Sequence, residues 1–143
     1  MKNSYDTENQ SKKVEELHFE LQGWKSNLSF IEDEITFIGH LLNSYVFQPN
    51  TQNLFERLQD YLRRLKKTET RKKQLQKSII EHENKLGGMM ECTDEYCDLQ
   101  YYRKHEAIKA EIVDFISNFR TLKSEIFNYA GGIMKKSKST STT

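Results

Sequence analysis

The residues best equipped for chemistry in this chain are its histidines, four in 143 residues. Three of them, His18, His82 and His105, fall at one height once the helices below are paired. Neutral imidazoles from three strands of a bundle supply most of a tetrahedral site for a divalent metal, zinc or iron. Glu20, Glu81, Glu83 and Glu106 are the carboxylates nearby for a fourth ligand or for orienting the rings. The competing reading is a polar layer that fixes register, its imidazoles bonded to one another, to Tyr101 or to the same glutamates. No H-E-x-x-H or E-x-x-H spacing occurs, so no single helix presents two ligands as the di-iron carboxylate bundles do. The fourth histidine, His40, faces outward and is read as solvated.

Other reactive groups carry less. Cys92 and Cys97 stand five apart, without C-x-x-C spacing, and read as two free thiols. Arg63, Arg64, Lys66, Lys67, Arg71, Lys72, Lys73 and Lys77 form a basic run broken by Glu69. Such a run could track a nucleic-acid backbone weakly. It lacks interleaved aromatics, however, and the paired heights set Glu32, Asp33 and Glu34 against residues 65–67. No nucleophile beside a base, Gly-rich phosphate loop or catalytic carboxylate pair is written here, which makes catalysis the least supported class. Beyond the possible zinc or iron, no cofactor is called for.

Long helices must position these groups. Glu, Lys, Leu, Gln and Arg dominate, proline occurs once and glycine six times. In steps of three and four, the first stripe reads Val14, Leu17, Leu21, Trp24, Leu28, Ile31, Ile35, Ile38, Leu42 and Tyr45. The second reads Leu54, Leu58, Tyr61, Leu65, Thr68, Lys72, Leu75, Ile79, His82 and Leu86, and the third Tyr101, His105, Ile108, Ile112, Phe115, Phe119, Leu122, Ile126, Tyr129 and Ile133. Pro49-Asn50 and an Asn53-x-x-Glu56 capping box separate the first two. Gly87-Gly88 should end the second, Thr93-Asp94-Glu95 should open the third, and Gly131-Gly132 should cap it.

The expected fold is all-α, an elongated antiparallel three-helix bundle with a heptad-spaced core. One domain spans 1–136, with helices near 8–47, 53–86 and 94–130 and a disordered tail at 137–143. In this register Leu17 and His18 face His82, His105 stands beside Leu17, and Lys72 snorkels past Trp24.

Apolar residues outside the stripes cluster in the half nearest Pro49: Phe30, Phe37, Leu41, Phe55, Leu62, Ile116 and Phe127. They either widen the core face or form an interaction surface buried in a homo-oligomer or against another protein. The net charge of +1 hides a division, with −4 over residues 1–50, +5 over 51–86 and 0 over 87–143. No stretch approaches the ~20 apolar residues of a membrane span, so membrane insertion is not expected and the reading is cytoplasmic.

Leu17-His18-Phe19-Glu20 with Trp24, Leu28, Phe30 and Asp33-Glu34, then Glu81-His82-Glu83-Asn84, then His105, Phe119-Arg120 and Phe127, resembles a group of small helical, coiled-coil-like proteins of Bacteroidetes-type bacteria. The likeness covers most of residues 12–130. It implies a bacterial cytoplasmic bundle and nothing catalytic. The functional expectation is a non-enzymatic bundle acting through protein contacts, by self-association, with the three-histidine metal site as the alternative.

Overall fold

The computed structural model describes residues 4–44, 52–89 and 95–141, with side chains for 11–44, 52–88 and 98–132. Three α-helices carry them: α1 over Ser4–Leu42, α2 over Gln52–Met89 and α3 over Glu95–Ser141. No strand occurs among the described residues, and the chain is an all-α three-helix bundle. No helix among them is long and apolar enough to cross a membrane.

The helix ends differ from those the punctuation suggests. The first helix closes at Leu42 rather than near 47, because the next two residues turn their polar side chains onto the backbone. Asn43 donates to the Gly39 carbonyl from both its backbone N–H (3.1 Å) and its Nδ2 (2.8 Å), and the Ser44 hydroxyl donates to the Leu41 carbonyl at 2.8 Å. At the start of α2, Asn53 lies inside the helix, and Gln52 Nε2 donates to Glu56 Oε1 at 3.3 Å. Neither glycine pair stops its helix. Capping by glycine needs a left-handed residue, and no described residue has positive φ. A helical glycine costs about 1 kcal/mol relative to alanine, which these long helices absorb. The last helix therefore runs to Ser141 through much of the tail expected to be disordered. Pro49, Tyr45, Thr93, Asp94 and Cys92 lie outside the described residues, as does the Cys97 side chain.

The contacts divide the chain into two compact units. Unit 1 holds Met1–Phe30 and Lys73–Asp114. Its core is Leu17, Leu21, Trp24 and Leu28 from α1, Leu75, Ile79, His82 and Leu86 from α2, and Tyr101, His105, Ile108 and Ile112 from α3. Unit 2 holds Ile31–Lys72 and Phe115–Thr143. There Ile31, Ile35, Ile38 and Leu42 meet Leu58, Tyr61, Leu65 and Lys72, with Phe115, Phe119, Leu122, Ile126 and Tyr129 closing the third side. Each buried Leu or Ile contributes about 1.5–3 kcal/mol as an upper bound, so the stripes supply the main driving force in both units.

Within unit 2, α1 and α2 run antiparallel: Lys72 meets Glu32 at 3.0 Å, while Leu65 lies beside Gly39, where an added Cβ would stand 3.8 Å from its Cδ2. The register is not the one expected. Glu32 should have stood opposite residue 67 and instead meets Lys72, five residues on, about 7.5 Å along the axis. Lys72, only 1% exposed, thus takes Glu32 as its partner and does not reach past Trp24.

Candidate functional site

Contacts within unit 1 decide what surrounds its histidines. Core spacing places His82 on α2 and His105 on α3, 2% and 1% exposed. His82 Nε2 and His105 Nδ1 are 3.0 Å apart, and His105 Nε2 is 3.2 Å from Glu20 Oε2 on α1. Trp24 lies against His105 with ring centroids 4.5 Å apart, and Tyr101 stacks on His82 at 4.0 Å and 12°. The Tyr101 hydroxyl donates to the His82 carbonyl at 3.0 Å. Unit 1 thus joins Glu20, His105, His82 and Tyr101 in one chain, buried at all but the half-exposed Glu20.

The network assigns the protons. An ionised carboxylate only accepts, so His105 Nε2–H donates to Glu20. That leaves His105 Nδ1 as a lone-pair acceptor, which takes the Nε2–H of His82. His82 Nδ1 is then a bare lone pair, buried and without a partner. Burial, followed by the charges of His105, Lys104 and Lys85, lowers the His82 imidazole from 6.5 to about 4, so it is neutral at pH 7. Burial, then Glu83, pushes the Tyr101 phenol up.

His18 is not in this layer. It is exposed on α1, about 100° around the helix from the core position Leu17, and Gln22 and Lys25 meet Glu83 beside His82. Of the expected carboxylates, Glu20 receives His105 and is also 3.8 Å from Lys109. Glu83 pairs with Lys25, while Glu81 and Glu106 are exposed. Among the described residues no group of three or more His, Cys, Asp or Glu stands where it could hold a metal ion. Trp24 and His105 both lie on core stripes, but the stripes alone do not say that these two residues meet.

Two cavities border the buried polar groups. One, of about 410 Å³ in unit 1, is lined by His82, Asn84, Lys85, Gly88, Gln100, Tyr101 and Lys104. The other, of about 360 Å³ in unit 2, lies along α1 and α2 and is lined by Glu32, Thr36, Gly39, His40, Asn43, Leu62, Lys66, Glu69 and Lys72 among others. Its acids and bases balance, and His40 is exposed at its edge.

The expected apolar surface separates into two faces within unit 2. Glu34 on α1 accepts from Lys123 on α3 at 2.7 Å, marking their seam. Phe37 and Leu41 follow Glu34 by three and seven residues, while Ile116 and Phe127 precede and follow Lys123 by seven and four, so all four flank that seam. Phe37 is 61% exposed and Phe127 45%, with Leu41 and Ile116 half-buried. Leu62 instead lines the groove between α1 and α2, and Phe55, two turns earlier and exposed, shares its side of the helix. Phe30, at the edge of unit 1, is exposed.

Part of the basic run is occupied. Arg64 contacts Glu125 at 2.7 Å, and Arg63 contacts Asp60 at 3.5 Å. The expected partners differ, since Glu34 goes to Lys123 and Glu32 to Lys72. Arg57 lies over both Tyr61 and Tyr129, 6.0 and 5.2 Å from the ring centroids, and the Tyr129 hydroxyl donates to the Leu54 carbonyl at 2.8 Å. These contacts make the α2/α3 seam of unit 2 a structural one. Searches against protein families, curated proteins and solved structures return no match to this chain.

Proposed function

We propose that this is a non-enzymatic, cytoplasmic bundle protein that works through protein contacts, associating with a second copy of itself by the α1/α3 face of unit 2. The observation that carries the reading is the exposure of Phe37 and Phe127 on either side of the Glu34–Lys123 pair, with Leu41 and Ile116 beside them. Covering one such phenylalanine contributes about 2 kcal/mol. Aromatic anchors ringed by charge are the composition of an interface centre.

Charge favours a second copy as the occupant. Beside the Glu34–Lys123 pair, the α1 edge carries the exposed Asp33 and the α3 edge the exposed Arg120. A copy turned about a two-fold axis lays its basic α3 edge over the acidic α1 edge of its mate, and the reverse contact follows by symmetry. The face between α1 and α2, with Phe55 and Leu62, lies outside this interface.

Light scattering after size exclusion tests the reading. The wild-type protein should elute with a mass above 17.0 kDa, and Phe37→Glu with Phe127→Glu should return it to the monomer. Phe55→Glu should leave association unchanged. A wild-type monomer, or equal dissociation by Phe55→Glu, would overturn the assignment.

A further inference from the structure

The unit 1 cavity beside His82 differs in charge from its counterpart in unit 2. None of its seven lining residues is acidic, two are lysines, and Asn84 and Gln100 add amide donors. His82 forms part of its wall, and the buried Nδ1 of that ring lacks a partner. Of the other charged groups around the layer, Glu81 and Glu106 are exposed. Glu20 on α1 holds His105 and lies near Lys109 of α3, and Glu83 on α2 holds Lys25 and Gln22 of α1. Lys85 on α2 and Lys104 on α3, both exposed, line the cavity.

We propose that this cavity binds a small tetrahedral oxyanion, of the phosphate-monoester or sulfate class, between Lys85 and Lys104, with binding coupled to uptake of a proton on His82. Protonation of the imidazole places an N–H on Nδ1. His82 Nε2–H continues to donate to His105 and His105 to Glu20, so the ring stays fixed while its charge changes. The anion supplies the counter-charge across the cavity wall that His82 forms. Lys85 and Lys104 oppose charging of His82 in the empty cavity, and the anion offsets them. By linkage, whatever eases protonation of His82 binds more tightly as pH falls. The site is independent of self-association, which is placed in unit 2.

Sulfate is the suitable probe because its charge does not change between neutral and mildly acid pH. Amide NMR titrations with sodium sulfate, at ionic strength held constant with chloride, should show saturable shifts at Lys85, Gly88, Gln100 and Lys104. Affinity should rise about fivefold or more from pH ~7.5 to pH ~5. His82→Gln should retain the lysine-dependent binding and lose its pH dependence, a change that loss of a purely structural residue does not produce. Gly88→Asp adds a carboxylate where a Cβ meets nothing within 4 Å, so it should fold and weaken sulfate at least tenfold. Phosphate monoesters should compete with sulfate. Shifts that fail to saturate or match those of chloride mean an adventitious ion only and overturn the proposal. Wild-type pH dependence that persists in His82→Gln, or undiminished binding by Gly88→Asp, overturns it as well.

Discussion

Replacing His82 by leucine should leave stability near neutrality almost unchanged and remove a large part of its acid sensitivity. In the wild type, burial, then His105, then Lys104 and Lys85, holds the His82 imidazole at about 4, below its ordinary 6.5. As pH falls, the unfolded chain therefore takes up the proton before the folded one does. The stability supported by the neutral ring is complete above about 6.5, is lost between 6.5 and 4, and changes no further once both states are charged. At about 1.4 kcal/mol per unit, this gap amounts to about 3 kcal/mol. His82 is 2% exposed, so solvent screening reduces the figure little. At neutral pH, leucine removes an unpartnered buried Nδ1 but takes the donor from His105 Nδ1. Each change is worth about 1–3 kcal/mol, with opposite sign. Urea unfolding of wild type and His82→Leu in steps from pH ~7.5 to pH ~4 measures the difference, because the carboxylates contribute alike to both. The wild type should lose about 3 kcal/mol more than the variant over that range. Parallel curves would refute the buried neutral imidazole.

Three further outcomes follow from the same packing. Trp24, the sole tryptophan, lies 4.5 Å from His105 and is 7% exposed, so its emission should be blue-shifted in the folded protein and Trp24→Ala should cost about 3–5 kcal/mol in urea unfolding; a solvent-like emission maximum would contradict the buried layer. Lys72→Met should be neutral or stabilising by about 1 kcal/mol in chemical denaturation, since Glu32 is half-exposed and rehydrates, whereas Lys72→Ala should cost about 2–3 kcal/mol through the void it leaves. Gly39→Ala, whose Cβ would stand in ordinary contact 3.8 Å from Leu65, should raise the unfolding free energy by about 0.5–1 kcal/mol, and a loss would place α1 and α2 closer than described.

The stripes were legible because burial follows the side-chain period of the helix. From Leu17 to Leu42, and from Tyr101 to Tyr129, each stripe position is buried, including His105. Height was less legible. A helix slid by about a turn still sets apolar face against apolar face, so the stripes leave the axial position open, and ion pairs such as Lys72 with Glu32 accompany the register adopted. Glu20 stood among the expected carboxylates, and Trp24, in place of His18, is what packs against the imidazoles. The side of each helix on which Phe37 and Leu62 lie could have been found by counting 100° per residue from the core stripe, and that count separates the two apolar faces. Helix ends were misjudged at the glycine pairs because glycine permits a left-handed cap without requiring one.

Self-association through the α1/α3 face of unit 2 is tested most directly by isotope-filtered NOEs in an equal mixture of ¹³C-labelled and unlabelled protein. Intermolecular cross-peaks should arise among Phe37, Leu41, Ile116 and Phe127, and should vanish with Phe37→Glu. Their absence at concentrations where the mass exceeds 17.0 kDa, or their appearance at Phe55 and Leu62 instead, would contradict it.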